Sequence, residues 1–489
     1  MPAESATLPR ATIPEPLAFE TELSGVFNGE TLRYRAVAAE TYLRDETGTA
    51  TASFFTVAYL KSQVQDISSR PVTFIFNGGP GSSAQWLHMG ALGPKRIVVP
   101  SEPNNAGAAP YPIVDNELSL LNVSDLVLID PIGTGYSRTL GEKDPKRYWG
   151  LLEDARSIAD FIEAWITDQR RWNSPKYIAG ESFGTTRAAL LADTLSNRFI
   201  SLNGIVLISA VLDCQNSRPR PGDGGILSYV AFLPTYAATA WFHGKVDRNG
   251  RTLDAFLDEA RTFARTDYAL ALIANDQRLN PKERSRLVSL IASYTGLKES
   301  YISQSRLRIP VERFFKELLR DRGLVLGRLD GRYTGIEPES AGELAESDPT
   351  FDGIGSAFTA ALNTQLADLG VRMQRPYLPL SSTVETHWNW LLEEKASSGG
   401  GYVNVIPYLG RAMRHNKHLR LLVTSGYYDL ATPFFGAENA LSQDGLVHER
   451  IAYTYYEVGH MIFLHEPSRV RFLNDVRQFV LAGVGRSDQ

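Results

Sequence analysis

Residues 176–184 read KYIAGESFG, and this stretch decides the fold. The apolar run at its start predicts a short buried strand, and residues 185–198 after it predict a helix. Gly180, Ser182 and Gly184 therefore form a G-x-S-x-G pattern at a strand-to-helix turn. The two glycines permit a tight turn that exposes the serine side chain. The pattern alone also fits an ordinary turn with a serine at a helix start, so its interpretation depends on the surrounding chain.

The alternation of strand and helix continues on both sides of this turn. Short apolar runs at 72–76, 123–129 and 204–209 predict buried strands. Residues 151–168 carry apolar side chains at helical spacing. Strands that alternate with helices predict an α/β class with a parallel sheet. Residues 19–60 alternate like strands and contain turn residues, which predicts an antiparallel hairpin ahead of that sheet.

The regular alternation stops near residue 213 and returns near residue 401. We expect four parts, which are a flexible N-terminal arm at 1–18, a first core part at 19–212, a mostly helical cap insertion at 213–400 and a second core part at 401–489. Within the insertion, residues 321–400 carry little helical periodicity and are expected to be irregular.

The composition excludes several classes of protein. The net charge of −5 is mild and no block of basic residues occurs, so neither nucleic acid nor a membrane surface is expected as a partner. Cys214 is the single cysteine, so no internal disulfide can form. We expect a cytoplasmic location, with a periplasmic or secreted one as the alternative if a leader has been removed. The N-terminus lacks a signal-peptide pattern, and no apolar run is long enough to span a membrane. No pattern of metal ligands or of nucleotide-binding glycines is present, so neither a metal nor a cofactor is expected.

One acidic and one basic residue later in the chain could supply the acid and the base that a serine nucleophile needs. Asp429 directly follows a predicted strand at 419–424, and His460 lies in a loop before the last predicted helix. A nucleophile, then an acid, then a histidine is the chain order of the α/β-hydrolase fold. His460 would take the proton of Ser182, and Asp429 would orient the imidazole. The alternatives are a helix cap for Asp429 and an ordinary loop histidine for His460.

An acyl-transfer site also needs two backbone N–H donors for the oxyanion. One donor is expected from Phe183, the residue after the nucleophile, and the other from the glycine-rich turn at 77–81. Each such donor stabilises the transition state by about 3 kcal/mol.

Three motifs together resemble the serine carboxypeptidase family, peptidase family S10. The turn NGGPGSS at 77–83, the elbow GESFG at 180–184, and the segments GYYD at 426–429 and GHM at 459–461 all resemble family motifs. DPIGTGYS at 130–137 resembles a further family segment, shortened by one residue. The resemblance covers about 70–212 and 400–480, and the single cysteine makes the chain similar to a bacterial-type member.

The resemblance implies hydrolysis of C-terminal peptide bonds through an acyl-enzyme, with a peptide as the substrate. Oxyanion donors would be Gly79 and Phe183. The residues that would contact substrate are Asn77, Gly78, Glu181 and Met461. Glu181 can face a substrate carboxylate only if it is protonated, which needs a raised pKa.

One departure from the family pattern concerns the recognition of that carboxylate. Many members carry a second glutamate two residues before a Gly-Pro pair, where it pairs with the elbow glutamate, and Ala91 stands there in this chain. An acyltransferase, an esterase or another exopeptidase on the same framework is therefore the alternative function. A binding protein that has lost catalysis is a third possibility, against which the intact Ser182, Asp429 and His460 argue.

Overall fold

The computed structural model describes residues 13–141, 144–217, 225–392 and 403–484. Its strands are β1 (Ala18–Phe27), β2 (Glu30–Arg44), β3 (Ala50–Lys61), β4 (Val72–Phe76), β5 (Lys95–Ile97), β6 (Ile113–Asp115), β7 (Asp125–Ile129), β8 (Arg138–Thr139), β9 (Lys176–Glu181), β10 (Gly204–Ile208), β11 (Leu324–Leu326), β12 (Thr334–Ile336), β13 (Arg420–Gly426) and β14 (Ile451–Tyr456). Its α-helices are α1 (Gln85–Leu87), α2 (Leu151–Asp168), α3 (Phe183–Asn197), α4 (Leu227–Phe242), α5 (Leu253–Phe263), α6 (Ala269–Ala274), α7 (Pro281–Thr295), α8 (Glu299–Gln304), α9 (Val311–Glu317), α10 (Pro349–Asp368), α11 (Ser382–Thr386), α12 (Ile406–His415), α13 (Phe434–Leu441) and α14 (Glu466–Val484).

A large mixed sheet forms the centre of the molecule. Its strand order is β1-β2-β3-β7-β4-β9-β10-β13-β14, with β8 beside β3. The six neighbouring strands β7, β4, β9, β10, β13 and β14 are parallel. Strands β1, β2 and β3 form an antiparallel meander, and β3 pairs with β7. The central strands β4, β7 and β10 are buried along their whole length, as expected for parallel strands covered on both faces. The predicted α/β class is confirmed.

Each face of the sheet is covered by its own helices. Helices α2, α3 and α12 contribute apolar side chains to a core on one face, and α10 and α14 do so on the other. The strands β9, β13 and β14 are parallel, so their carboxyl ends meet at one edge of the sheet. Loops that follow parallel strands at that edge are where α/β proteins place their ligands.

The range predicted to be a cap contains two structurally different parts. Helices α4 to α9 build a third apolar core, which also receives Tyr427 and Phe434 from the second core part. The long helix α10 instead packs on the sheet through residues such as Phe358 and Leu362. The expectation that 321–400 is irregular was wrong for this helix. Its start was signalled by Asp348, which accepts a hydrogen bond from the Thr350 N–H, with proline as the first helical residue.

The boundaries of the four predicted parts stay a prediction. Most of the predicted arm at 1–18 lies outside the described residues, and Ala18 already begins β1. Among the helices that are described, none is both long enough and apolar enough to cross a membrane.

Candidate active site

The turn that carries Ser182 joins β9 to α3. Ser182 has φ 60° and ψ −130°, a left-handed conformation that is unfavourable for a residue with a side chain. Its N–H donates to the Ile208 carbonyl at 2.9 Å, which ties the turn to the neighbouring strand. A Cβ at Gly180 would collide with the Gly184 carbonyl oxygen, so the glycines are required by the close approach of the two arms of the turn. Ser182 thus sits on the strained, half-exposed elbow that the sequence predicts.

The loops after β13 and β14 bring Asp429 and His460 together. His460 Nδ1 and Asp429 Oδ2 lie 2.7 Å apart, and both side chains are buried. Burial alone would lower the pKa of His460, but the Asp429 carboxylate and Glu181 outweigh it and raise that pKa above its ordinary value of 6.5. The arrangement fixes the imidazole tautomer and leaves Nε2 as the atom that can accept a proton.

Ser182 belongs to the same edge of the sheet, since β9 runs parallel to β10 and β10 to β13. Within the parts of the chain that the structure describes, the hydrogen bonds connect His460 to Asp429 but not to Ser182 Oγ. Hydrogen bonds of this kind are often long before a substrate is bound.

Two further residues, Thr432 and Ser209, hold Asp429 and His460, and the sequence analysis identified neither. Thr432 Oγ1 lies 2.7 Å from Asp429 Oδ2, to which its hydroxyl can donate, 3.1 Å from His460 Nδ1 and 3.0 Å from the Ser209 carbonyl oxygen. Ser209 Oγ donates to the His460 carbonyl at 2.7 Å. Asp429 Oδ1 accepts from the N–H groups of Ala431 and Thr432, each at 2.9 Å. An aspartate followed three residues later by a threonine is typical of a turn in which the aspartate side chain accepts from the backbone N–H groups after it. This pattern could have identified Thr432 from the sequence.

The glycine-rich turn after β4 contacts the elbow directly. A Cβ at Gly78 would lie 2.5 Å from the Phe183 nitrogen and 2.7 Å from the Glu181 carbonyl oxygen, so only glycine allows this approach. Gly79 has φ +102°, a conformation that side chains rarely adopt. The Phe183 N–H lies in the first turn of α3, where backbone donors have no partner within the helix. Gly78, the chain neighbour of Gly79, therefore lies against the Phe183 nitrogen and Ser182.

Asn77 and Glu181 form a buried polar pair beside Ser182. Asn77 Nδ2 donates to Glu181 Oε2, and Asn77 Oδ1 accepts from the Leu87 N–H at 3.1 Å. Glu181 Oε1 has no hydrogen-bond partner within the described residues. Burial raises the pKa of Glu181 to about 7, against the opposing effects of His460 and Asn77.

Two other predicted positions are buried among apolar side chains. Met461 follows His460 and packs in the core that includes α10 and α14, so its side chain is placed beside the site but in the protein interior. Ala91 is also fully buried, within the π-helical turn His88–Leu92, and its carbonyl accepts from Asn116. No group of three or more His, Cys, Asp or Glu residues in the described ranges could hold a metal ion.

Comparison with known proteins finds one family model that matches the first part of the chain. Residues 38–244 match the family model described as serine carboxypeptidase, Peptidase_S10. This span includes the turn at 77–81 and Ser182, and it ends before Asp429 and His460. No similar protein was found among curated sequences.

Several solved structures match this chain over 91% or more of its length. The prohormone-processing carboxypeptidase Kex1(delta)p of Saccharomyces cerevisiae matches with a TM-score of 0.56 and 15% identity, over 91% of this chain and 91% of that one. Proline iminopeptidase of Mycobacterium smegmatis matches with a TM-score of 0.39 and 12% identity, over 92% and 100% of the two chains. The peroxisomal α/β-hydrolase Lpx1 of Saccharomyces cerevisiae matches with a TM-score of 0.37 and 11% identity, over 96% and 88%.

The predicted α/β-hydrolase fold is therefore confirmed. Residues 38–244 match the serine carboxypeptidase family model, and the chain is a hydrolase.

Proposed function

We propose that the protein is a serine carboxypeptidase, which hydrolyses the C-terminal peptide bond of a peptide through an acyl-enzyme. One observation carries the substrate class, namely that the buried Glu181 carboxyl, with its pKa raised to about 7, directly precedes Ser182 in the chain. A protonated carboxyl at this place can donate to a carboxylate that belongs to the substrate. Asn77 and Gly78 adjoin it and complete the proposed carboxylate contact, and Met461 is proposed to line the pocket of the leaving residue.

The proposed reaction begins with attack of Ser182 Oγ on the scissile carbonyl carbon. His460 Nε2 takes the hydroxyl proton, and Asp429 stabilises the imidazolium that forms. The oxyanion of the tetrahedral intermediate accepts hydrogen bonds from the Gly79 and Phe183 N–H groups. His460 then protonates the leaving amine nitrogen as the C–N bond breaks, which leaves the acyl group on Ser182. A water molecule, deprotonated by His460, hydrolyses this ester and restores the serine.

Ala91 favours a second candidate function on the same framework. Without a second carboxyl group at this position, Glu181 has Asn77 as its hydrogen-bond partner. An acyltransferase, an esterase or a different exopeptidase would need no carboxylate contact.

The single cysteine supports the proposed bacterial-type lineage, and the cytoplasmic location stays a prediction.

Paired substrates test the proposed function. A blocked dipeptide with a free C-terminal carboxylate is compared with the matching C-terminal amide and ester by kcat/KM below pH 7. We expect the free acid to be the best peptide substrate, and faster turnover of the amide would contradict the carboxypeptidase. Labelling by a fluorophosphonate, abolished in Ser182→Ala, separates catalysis from mere binding, since an unlabelled native protein would favour a binding protein.

A further inference from the structure

A hairpin from the insertion reaches the loop that carries His460. Residues 327–333, GRLDGRY, connect β11 to β12, and we refer to them as the hairpin tip. The Leu329 carbonyl accepts from the His460 N–H at 2.6 Å. The Gly331 N–H donates to the Tyr428 carbonyl at 2.8 Å. The hairpin tip is therefore bonded to the backbone of His460 itself and to the residue before Asp429.

An ion pair inside the hairpin tip makes further contacts with the loop that carries His460. Asp330 and Arg332 are both buried, and Arg332 Nη2 lies 2.7 Å from Asp330 Oδ2. The same Oδ2 accepts from the Gly459 N–H at 3.0 Å, and Arg332 Nη1 donates to the Glu457 carbonyl at 3.2 Å. A Cβ at Gly459 would collide with the Asp330 Cα, so the two backbones touch. The pair thus holds both sides of the turn that precedes His460.

The hairpin tip is in turn fixed to rigid elements. Asp348, the N-cap of α10, accepts from the Arg328 and Leu329 N–H groups at 3.0 and 3.2 Å. Thr350 Oγ1 accepts from the Asp330 N–H at 3.2 Å. On the other side, the imidazole of His243 hydrogen-bonds to the Gly331 carbonyl at 2.7 Å. The position of the His460 loop is therefore set by helices on both sides of the hairpin tip.

We infer that Asp330 and Arg332 are positioning residues, which hold the His460 loop so that the imidazole meets both Asp429 and Ser182. This inference rests on the proposed function. A buried ion pair is a poor source of stability, because the cost of removing two charges from water offsets their attraction. Orientation is a better use, since a base displaced by about 1 Å can lose on the order of a hundredfold in rate.

The variant Asp330→Asn removes the charge and keeps one oxygen acceptor. We expect kcat for the blocked dipeptide to fall by about tenfold or more while KM changes less than about twofold, because geometry at the base is lost and substrate contacts remain. The rate of fluorophosphonate labelling of Ser182 should fall in parallel. The pH profile should also change, since the charged groups that face His460 are Asp429, Glu181 and Arg328, and its distances to them shift with the loop.

Asp125→Asn is the matched control. Asp125 is an equally buried carboxylate, paired with Arg70 and Arg171 at the start of β7, the opposite end of the sheet from the site. Asp125→Asn should lower Tm about as much as Asp330→Asn does, while its kcat stays within about twofold of the native value. An Asp330→Asn protein that folds and loses no more kcat than this control would overturn the inference.

A conservative variant decides the matter if Asp330→Asn does not fold. Arg332→Lys keeps a cation beside Asp330 and gives up the fork that reaches the Glu457 carbonyl, so kcat should fall by about threefold to tenfold. An unchanged kcat in this variant would overturn the inference. If the native protein is not labelled at all, the proposed function fails instead, so the two failures are distinguishable.

Discussion

Asn77 holds Glu181 by one oxygen of its carboxyl group and leaves the other oxygen without a hydrogen-bond partner among the described residues. The two residues are 104 positions apart in the chain, at the ends of the adjacent strands β4 and β9. Burial raises the pKa of this carboxyl because ionisation would place a poorly paired charge in the interior, so its protonated form dominates only below about pH 7. The proposed contact with a substrate carboxylate therefore depends on the protonation of Glu181.

The pH dependence of turnover should report this protonation. Relative to the matching ester, which depends on His460 in the same way, a substrate with a free C-terminal carboxylate should lose kcat/KM as pH rises through about 7, because deprotonated Glu181 repels the carboxylate. One unit above the pKa of Glu181, the ratio of kcat/KM for the acid to that for the ester should be down about tenfold. Glu181→Gln keeps a neutral donor at every pH, so its alkaline fall should be absent. The profile of the matching ester, which has no carboxylate, is the control, and an equal alkaline fall for the ester would contradict the assignment.

Gly78 should be intolerant of a single added methyl group. In Gly78→Ala the Cβ would lie 2.5 Å from the Phe183 nitrogen, which must move away from its proposed position as oxyanion donor. Loss of one such donor lowers kcat by about a hundredfold to a thousandfold. Steady-state kinetics on the blocked dipeptide measure the change. Gly355→Ala, at a position in α10 where a Cβ meets nothing within 4 Å, is the control and should keep the native kcat.

Local sequence patterns predicted the strands and helices around Ser182 well, because interactions between residues close in sequence determine them. The helix Leu151–Asp168 and the strand Val72–Phe76 have the predicted bounds, since strong apolar periodicity and turn glycines delimit both. Helix α10 was missed because Gly353 and Gly355 weaken its helical signal, and its stability comes from packing on the sheet.

The parts of the candidate site that the sequence did not reveal depend on long-range contacts. Asp330 approaches Gly459 from 129 positions away, and no local pattern marks either residue for this contact. Ser182, Asp429 and His460 could be proposed from the sequence because this fold has a fixed chain order of serine, acid and histidine. The Asn77–Glu181 hydrogen bond needed the strand order, which places β4 beside β9.

The hydroxyl group of Thr432 should contribute to kcat. It is within hydrogen-bond distance of both Asp429 Oδ2 and His460 Nδ1, so Thr432→Val removes a polar contact from each while it keeps the shape of the side chain. We expect kcat to fall by about tenfold, since a hydrogen bond to a charged group is worth about 1.5–3 kcal/mol and part of it is recovered by relaxation. Thr432→Ser retains the hydroxyl and should restore most of kcat. Equal kinetics for the valine and serine variants would show that the hydroxyl has no role.

Acid sensitivity of the fold should come in part from His88. This side chain is buried in the π-helical turn His88–Leu92, its Nε2 lies 2.7 Å from the Tyr59 hydroxyl, and burial lowers its pKa to about 3 from an ordinary value of 6.5. The folded protein therefore keeps His88 neutral while the unfolded chain binds a proton below pH 6.5. Stability from this group is complete above pH 6.5 and is lost as pH falls towards about 3, by about 1.4 kcal/mol per unit.

The variant His88→Gln tests this origin of acid sensitivity, because the amide can still hydrogen-bond to Tyr59 and does not titrate. Denaturant unfolding at pH 7.5 and 5.5 gives the free energy of unfolding of both proteins. Between these two values the native protein should lose about 1.4 kcal/mol more than the variant, since only its unfolded state gains a proton at this position. All other groups titrate in both proteins, so the difference isolates His88. The same loss in the two proteins would place the acid sensitivity elsewhere in the fold.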